Sequence, residues 1–321
     1  MNGLFHALDP AGPQAALIAQ LWWLTVAVCA LVLVAVLLAF FIALRRAPRA
    51  DAATPADVKP LQQAEPRTRL VVTAATIASA VLLVGLVAAS AATDRALMQL
   101  PLQNALNVQV TANQWWWDVR YDDPDPSRIF ATANEIYVPV GRPVIVRLRA
   151  NDVIHSFWVP NLHGKKDLIP GTEGTIHFRA DRAGTYHGQC AEYCGLQHAF
   201  MAFVVHAVPQ EEFDRWAESQ RKPAAAPSTA PQKRGHDLFM SGTCMMCHAI
   251  QGTPAQARKG PDLTHVASRE RIAAGRLANT PENLASWIRD PHRHKPGVNM
   301  PAHVLAQGDL EALVAYLGAL R

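Results

Sequence analysis

His155 and the run Cys190-Ala-Glu-Tyr-Cys194-Gly-Leu-Gln-His198-Ala-Phe-Met201 bring two thiols, two imidazoles and a thioether into one ligand set. These donors are soft. They suit copper or zinc rather than calcium or magnesium, which take oxygens. Two cysteines with two histidines also make a tetrahedral zinc site. Met201 weighs against zinc, because a thioether is a common weak axial ligand in copper electron-transfer sites. A second set lies in Cys244-Met-Met-Cys247-His248. Cys-x-x-Cys-His is the attachment motif of a c-type haem. Its thiols form thioethers with the haem vinyls, and the adjacent histidine is held under the iron. A bare Cys-x-x-Cys also serves redox or zinc chemistry.

These sets need elements to hold them. The chain has 321 residues, enough for two or more domains. Half of it is hydrophobic (50%) and only 17% is charged, yet mean hydropathy is near zero, so apolar blocks alternate with polar domains. The net charge of +4 is mild and argues for no nucleic-acid partner. Four of the five cysteines belong to the two sets; Cys29, in an apolar run, reads as a small buried residue, and no pair remains for a structural disulfide. Leu21 to Leu44 and Leu70 to Thr93 are uncharged and, at ~1.5 Å per residue, long enough to cross a hydrocarbon core of ~30 Å. Trp22 and Trp23 fit an interfacial aromatic belt. The first run is too long for the apolar core of a signal peptide, and Met1 to Gln20 carries no Lys or Arg. The loop between the runs holds Arg45, Arg46, Arg49, Lys59, Arg67 and Arg69, which places it in the cytoplasm and both termini outside.

From Leu106 to His206 the pattern turns to short strands separated by Gly, Pro and Asp: Leu106 to Ala112, Pro143 to Ala150, Ile154 to Val159, Gly174 to Ala180 and Ala199 to His206. Such strands predict a sandwich or barrel. Pro209 to Gln220 reads as a helix docked through Phe213 and Trp216, and Lys222 to Pro231 as a semi-rigid linker. Helical spacing returns at Pro281 to Ile288 and Asp309 to Leu320. The predicted layout is an extracytoplasmic segment 1–20, a transmembrane helical hairpin 21–93, a β domain 94–208, a helix and linker 209–231, and a helical domain 232–321.

The full pattern resembles subunit II of haem-copper cytochrome c oxidases, of the caa type with a fused C-terminal cytochrome c domain. The resemblance implies a multidomain membrane protein: the hairpin, a cupredoxin-like all-β Greek-key barrel and an all-α class I cytochrome c domain. It implies the binuclear copper centre CuA, with Cys190 and Cys194 as bridging thiolates, His155 and His198 as imidazole ligands, Met201 as axial sulfur and the backbone oxygen of Glu192 as the last ligand. It implies covalent haem c on Cys244, Cys247 and His248. Met300, in Asn299-Met300-Pro301, stands where small cytochromes c carry their distal methionine, whereas Met245 and Met246 lie inside the attachment loop. Gln114-Trp115-Trp116-Trp117 resembles the segment in which an exposed tryptophan over the copper receives electrons, a role that falls on Trp115. The Glu192 carboxylate matches one that reaches a magnesium ion shared with the catalytic subunit, and Asp152 is a supporting or interface candidate. The region from Glu65 to Thr73 lacks the tryptophan and internal proline of the family, which puts a proton-entry role for Glu65 in doubt.

The function so implied is the electron-input subunit of a terminal respiratory oxidase that reduces oxygen to water. Electrons would pass from an external donor, such as a cytochrome c or a quinol-oxidising complex, through haem c and CuA. They would leave for subunit I, the catalytic haem-copper subunit, within a complex of further oxidase subunits. The setting would be a bacterial-type inner membrane crossed twice, with both metal domains periplasmic. The membrane runs hold no histidine, so oxygen reduction is not placed in this chain. Alternatives are the electron-input subunit of a CuA-containing nitric oxide reductase and a membrane-anchored copper chaperone, which would lack His198, Met201 and the haem. A further expectation is electrostatic: Asp122, Asp123 and Asp125 would steer a basic haem domain (Lys233, Arg234, Arg258, Lys259) toward Trp115.

Overall fold

The computed structural model describes residues 6–47 and 65–321, which fall into two units. Residues 17–99 make one of them, built from most of α1 (Pro13–Arg46) and from α2 (Pro66–Leu97). Their Ala, Leu and Val content favours helix, and the hydroxyls of Thr25, Thr76 and Thr93 each donate to a carbonyl four residues earlier at 2.9–3.0 Å. Leu31, Leu37, Phe40 and Phe41 on α1, and Leu70 and Val84 on α2, are exposed. A surface of that kind is stable in lipid and not in water. The helices are 34 and 32 residues long and overrun the apolar runs, so the boundary expected at residue 20 falls inside α1. Cys29 is exposed on α1, not buried, because its helix has no packed partner there among the described residues. Arg49 and Lys59 of the basic loop lie outside the described residues.

Residues 100–321 form the other unit, together with the N-terminal stretch up to residue 16. That stretch is tied down: Ala11 N donates to Asn161 O at 2.7 Å and Asn161 Nδ2 donates to Asp9 O at 2.8 Å. Ten strands follow: β1 (Leu106–Asn113), β2 (Trp116–Asp122), β3 (Phe130–Ala133), β4 (Glu135–Pro139), β5 (Pro143–Ala150), β6 (His155–Trp158), β7 (Lys166–Leu168), β8 (Gly174–Arg179), β9 (Gly184–Cys190) and β10 (Ala202–Val208). They pair as two five-stranded sheets, β3-β2-β1-β5-β8 and β4-β10-β9-β6-β7, with parallel pairs β1/β5 and β4/β10. This is the cupredoxin-like domain. Alternation along β2 sends Trp117, Val119 and Tyr121 inward, where Trp117 meets Phe157 and Phe203 at ring distances of 6.1 and 5.1 Å. The predicted strand from Ala199 begins only at Ala202, because His198–Phe200 form a 3-10 turn. β9 carries two glycines and little apolar signal. Gly188 is required there, since a Cβ would lie 2.2 Å from the Phe203 ring.

Helix α3 (Gln210–Gln220) docks on this domain through Phe213 and Trp216, the latter stacked 4.3 Å from Tyr137. Its predicted packing face is the one observed. The helical C-terminal region comprises α4 (Ala230–Ser241), α5 (Pro281–Arg289), the short α6 (Pro291–His294) and α7 (Gln307–Leu317). α4 starts inside the stretch expected to be linker, because Thr229 and Gln232 form a capping box. The remainder is anchored as well: Ala224 N donates to Gln251 O at 3.0 Å and Lys222 O meets His265 Nε2 at 3.1 Å. α4 crosses α7 where Gly235 lies against Ala312; a Cβ on Gly235 would sit 2.0 Å from the Ala312 carbonyl oxygen. Phe239, Leu310, Leu313 and Tyr316 fill the core around that crossing.

Candidate functional site

The first ligand set gathers at one end of the β domain. His155 opens β6, Cys190 closes β9, and the loop before β10 carries Cys194, His198 and Met201. β6 pairs with β9, Phe157 opposite Cys190, which fixes the imidazole beside the first thiol. Cys190 Sγ lies 3.7 Å from Cys194 Sγ, far beyond a disulfide at about 2.05 Å. His155 Nδ1 is 3.8 Å from Cys190 Sγ, His198 Nδ1 is 3.7 Å from Cys194 Sγ, and Met201 Sδ is 3.9 Å from Cys194 Sγ. Glu192 O is 3.2 Å from Cys190 Sγ. Metal legs of about 2.3 Å to sulfur and about 2.0 Å to nitrogen, meeting near the tetrahedral angle, span about 3.5 Å. The donor set therefore fits soft metal with little movement.

Supporting bonds select the ligand atoms. Asp152 Oδ1 lies 2.8 Å from His155 Nε2, which leaves Nδ1 facing the thiol. Burial works against charge on both partners. Hydrogen bonds together outweigh it: the one they share, with backbone bonds from Val153 and Gln114 to Asp152 and a bond from Cys190 to His155, holds Asp152 below and His155 above its ordinary range. The Cys190 thiol is pulled well below its ordinary range, first by the hydrogen bond from Cys194 and then by His155 and backbone bonds at Glu192 and Ser156, while the Cys194 thiol is pushed up by its ionised neighbour. Two thiolates together thus need a cation between them. The loop closes on Trp115: Trp115 Nε1 and Gln114 Nε2 both donate to Cys194 O, at 2.9 and 2.8 Å. Gly195, at φ +109°, lies flat beneath that indole.

The second set lines one cavity of about 610 Å³. Cys244, Cys247, His248 and Met300 all reach it, among apolar walls from Phe239, Leu284, Ile288 and Leu313. The volume lies within the range of cofactor sites, and the walls suit a macrocycle. His248 Nδ1 meets Pro261 O at 2.7 Å, which leaves Nε2 to face the cavity. Gly260 is packed against the imidazole, where a Cβ would stand 2.6 Å from Cε1. His303 lines the cavity too.

The cavity is also walled by the β domain, through Gln114, Trp115, Trp116 and Asp152. Trp115, expected to be exposed, is only 6% exposed because the helical region covers it; Trp117 is fully buried in the core and Trp116 is half-buried. Sequence reasoning missed what covers it. Lys295 Nζ donates to Trp115 O at 2.9 Å, Gln197 Nε2 to Pro296 O at 2.7 Å and Asn299 Nδ2 to Gln114 O at 3.5 Å. Nothing local in His-Lys-Pro-Gly marks Lys295 as buried. The steering acids are elsewhere. Asp122 is paired with Arg120 (3.1 Å) and with Arg147, Asp123 meets Arg128 at 3.5 Å, and Asp125 caps the turn at Ser127. They sit at the far end of β2 from Trp116, about 20 Å of strand away. The Glu192 carboxylate is bonded to Lys165 Nζ at 2.9 Å, and Lys165 also meets Asp167 at 3.2 Å. The described residues of this chain build no magnesium cage around an acid so paired.

Residues 124–208 match the family described as cytochrome C oxidase subunit II, periplasmic domain, and residues 232–321 match the cytochrome c family. A cytochrome c oxidase subunit 2 from Alkalihalophilus pseudofirmus is 37% identical over 320 residues, covering 98% of this chain and 90% of the relative. One from Bacillus sp. (strain PS3) is 35% identical over 230 residues, covering 68% of this chain and 63% of the relative. Among solved structures, the periplasmic domain of subunit II of cytochrome oxidase of Bradyrhizobium japonicum is 33% identical with a TM-score of 0.35, covering 38% of this chain and 97% of that one.

Proposed function

This chain belongs to the cytochrome c oxidase subunit 2 family, and from that premise we propose the path by which it feeds electrons to a haem-copper oxidase. The complex is an oxidoreductase, and this chain is an electron-input subunit fused to a cytochrome c domain. Bound haem c and a bound copper pair supply the one-electron couples. Cys244, Cys247, His248 and Met300 would hold the haem, the two cysteines attaching it covalently. Cys190, Cys194, His155, His198, Met201 and the carbonyl of Glu192 would hold the copper pair.

The observation that carries the reading is that one indole belongs to both sites. Trp115 walls the haem cavity and donates its Nε1 proton to the carbonyl of Cys194. An electron arriving in the cavity therefore meets a route to the thiolate loop through one aromatic ring and one hydrogen bond. With Trp115 covered, an external donor, such as a cytochrome c or a quinol-oxidising complex, would deliver to the haem domain rather than to the indole. Subunit I would accept the electrons from the copper loop, whose Tyr193 and Leu196 are exposed. Asp152 holds the His155 tautomer, and Gln114 shares the Cys194 carbonyl with the indole. Any magnesium ion at Glu192 would have to displace Lys165 and draw further oxygens from a partner subunit.

The layout that goes with this reading is a two-pass inner-membrane protein, with the 94–208 and 232–321 regions on the periplasmic side and 209–231 joining them. Metal analysis of the purified protein tests it. Two coppers and one covalently held haem per chain are expected. One copper, or zinc in its place, would overturn the copper assignment.

A further inference from the structure

Lys295 is the unexpected residue in this unit. It is 2% exposed, and its partners are two neutral carbonyls, Trp115 O at 2.9 Å and Ala273 O at 3.3 Å. A lysine buried with no carboxylate is costly, and its three protons demand acceptors. The acceptors belong to two separately cored parts of the molecule: Trp115 packs in the β-domain core, and Ala273 lies in the turn between the short strands Arg271–Ile272 and Leu277–Ala278. The stretch that follows continues the contact. Pro296 O receives Gln197 Nε2, Gly297 packs over Leu196 and Trp115, and Asn299 reaches Gln114 O. The next residue, Met300, enters the haem cavity. One short segment thus touches the indole, the loop carrying His198 and the cavity.

We propose that Lys295 is a positioning residue for haem-to-copper electron transfer: its amine latches the cytochrome c domain over Trp115 and keeps the cavity closed against the copper loop. This rests on the electron path above, but the latch itself is a contact between protein groups and exists with or without metal. Latching has two consequences. The distance an electron must cross is held constant, and Trp115 is kept from outside reductants.

The test uses the full-length chain in its assembled complex. Lys295→Met should raise hydrogen exchange at Gln114 to Trp117 and at Leu196 to Ala202, while the Phe239 and Leu310 to Leu317 core keeps its protection. Haem-to-copper transfer after flash reduction should slow on the order of tenfold or more, with the copper spectrum unchanged. Direct copper reduction by a small photoreductant should speed up, because Trp115 is uncovered. Lys295→Arg, which keeps donors at that position, should recover part of the transfer rate. Wild-type exchange and transfer in Lys295→Met would overturn the proposal. If Lys295→Met fails to retain haem, Gln197→Ala decides by the same exchange measurement: raised exchange at Gln114 to Trp117 supports the latch, and wild-type exchange overturns it. Copper and haem content measured on the same samples separates failure of the latch from failure of the electron path.

Discussion

At the scale of single residues, the supporting partners matter as much as the ligands. Asp152 contributes no donor to the ligand set, yet it decides which His155 nitrogen faces the thiol. Asp152→Asn should keep the fold and weaken copper retention by about 10–100-fold, the usual effect of losing such a partner. Competition against a chelator measures this, and wild-type retention would show that the tautomer is set otherwise. Met300 is the cavity's sequence-marked thioether. A thioether opposite a histidine raises haem potential, so Met300→Ala should lower the midpoint potential in a redox titration and change the optical spectrum. An unchanged potential would point to another cavity residue, His303 being the first to examine.

At the scale of elements, close approach explains positions that periodicity leaves silent. α4 and α7 touch backbone to backbone at Gly235 and Ala312. Gly235→Ala places a carbon where no gap exists, so the helices must part. Overpacking of this kind costs about 1–3 kcal/mol. The expected result is a lower melting temperature of the cytochrome c region, read from haem absorbance, with the copper spectrum unaffected. An unchanged melting temperature would mean that the crossing has slack. The same reasoning explains the missed strand β9. Its apolar pattern is broken by Gly188, whose absent side chain is what lets Phe203 lie flat across the sheet.

At the scale of the whole 100–321 unit, a second buried charge sits in the contact between the domains. Glu135 on β4 is 7% exposed and accepts from Glu270 N at 3.2 Å. Burial pushes its carboxyl up to about 7, against the opposing pull of Arg269 and of the backbone bonds from Glu270 and Arg271. The closed form therefore binds a proton that the open form, with an ordinary carboxylate near 4.5, releases. Contact stability is greatest below about pH 4.5, falls as pH rises toward 7, and is level above that as far as this group is concerned. Glu135→Gln should remove that slope. Thermal unfolding of wild type and variant across this pH window checks it, and parallel curves would assign the slope to other groups.

The two ligand sets can be read from the sequence. Cys190, Cys194, His198 and Met201 lie close together at the end of β9 and in the loop after it, and Cys244, Cys247 and His248 are nearly contiguous, so their spacing is local and readable before folding. The sequence also marked the two apolar helices, each long and apolar enough to cross a membrane, and the amphipathic faces of α3, α5 and α7. Tertiary structure alone decided how the two ligand sets relate. The burial of Trp115, the latch at Lys295 and the raised carboxyl at Glu135 all depend on partners far away in the chain. Lys295 and Trp115 are 180 residues apart, and no local pattern encodes their meeting. The reason is physical. A ligand set is defined by its own side chains, whereas burial and pairing are properties of whatever packs against them.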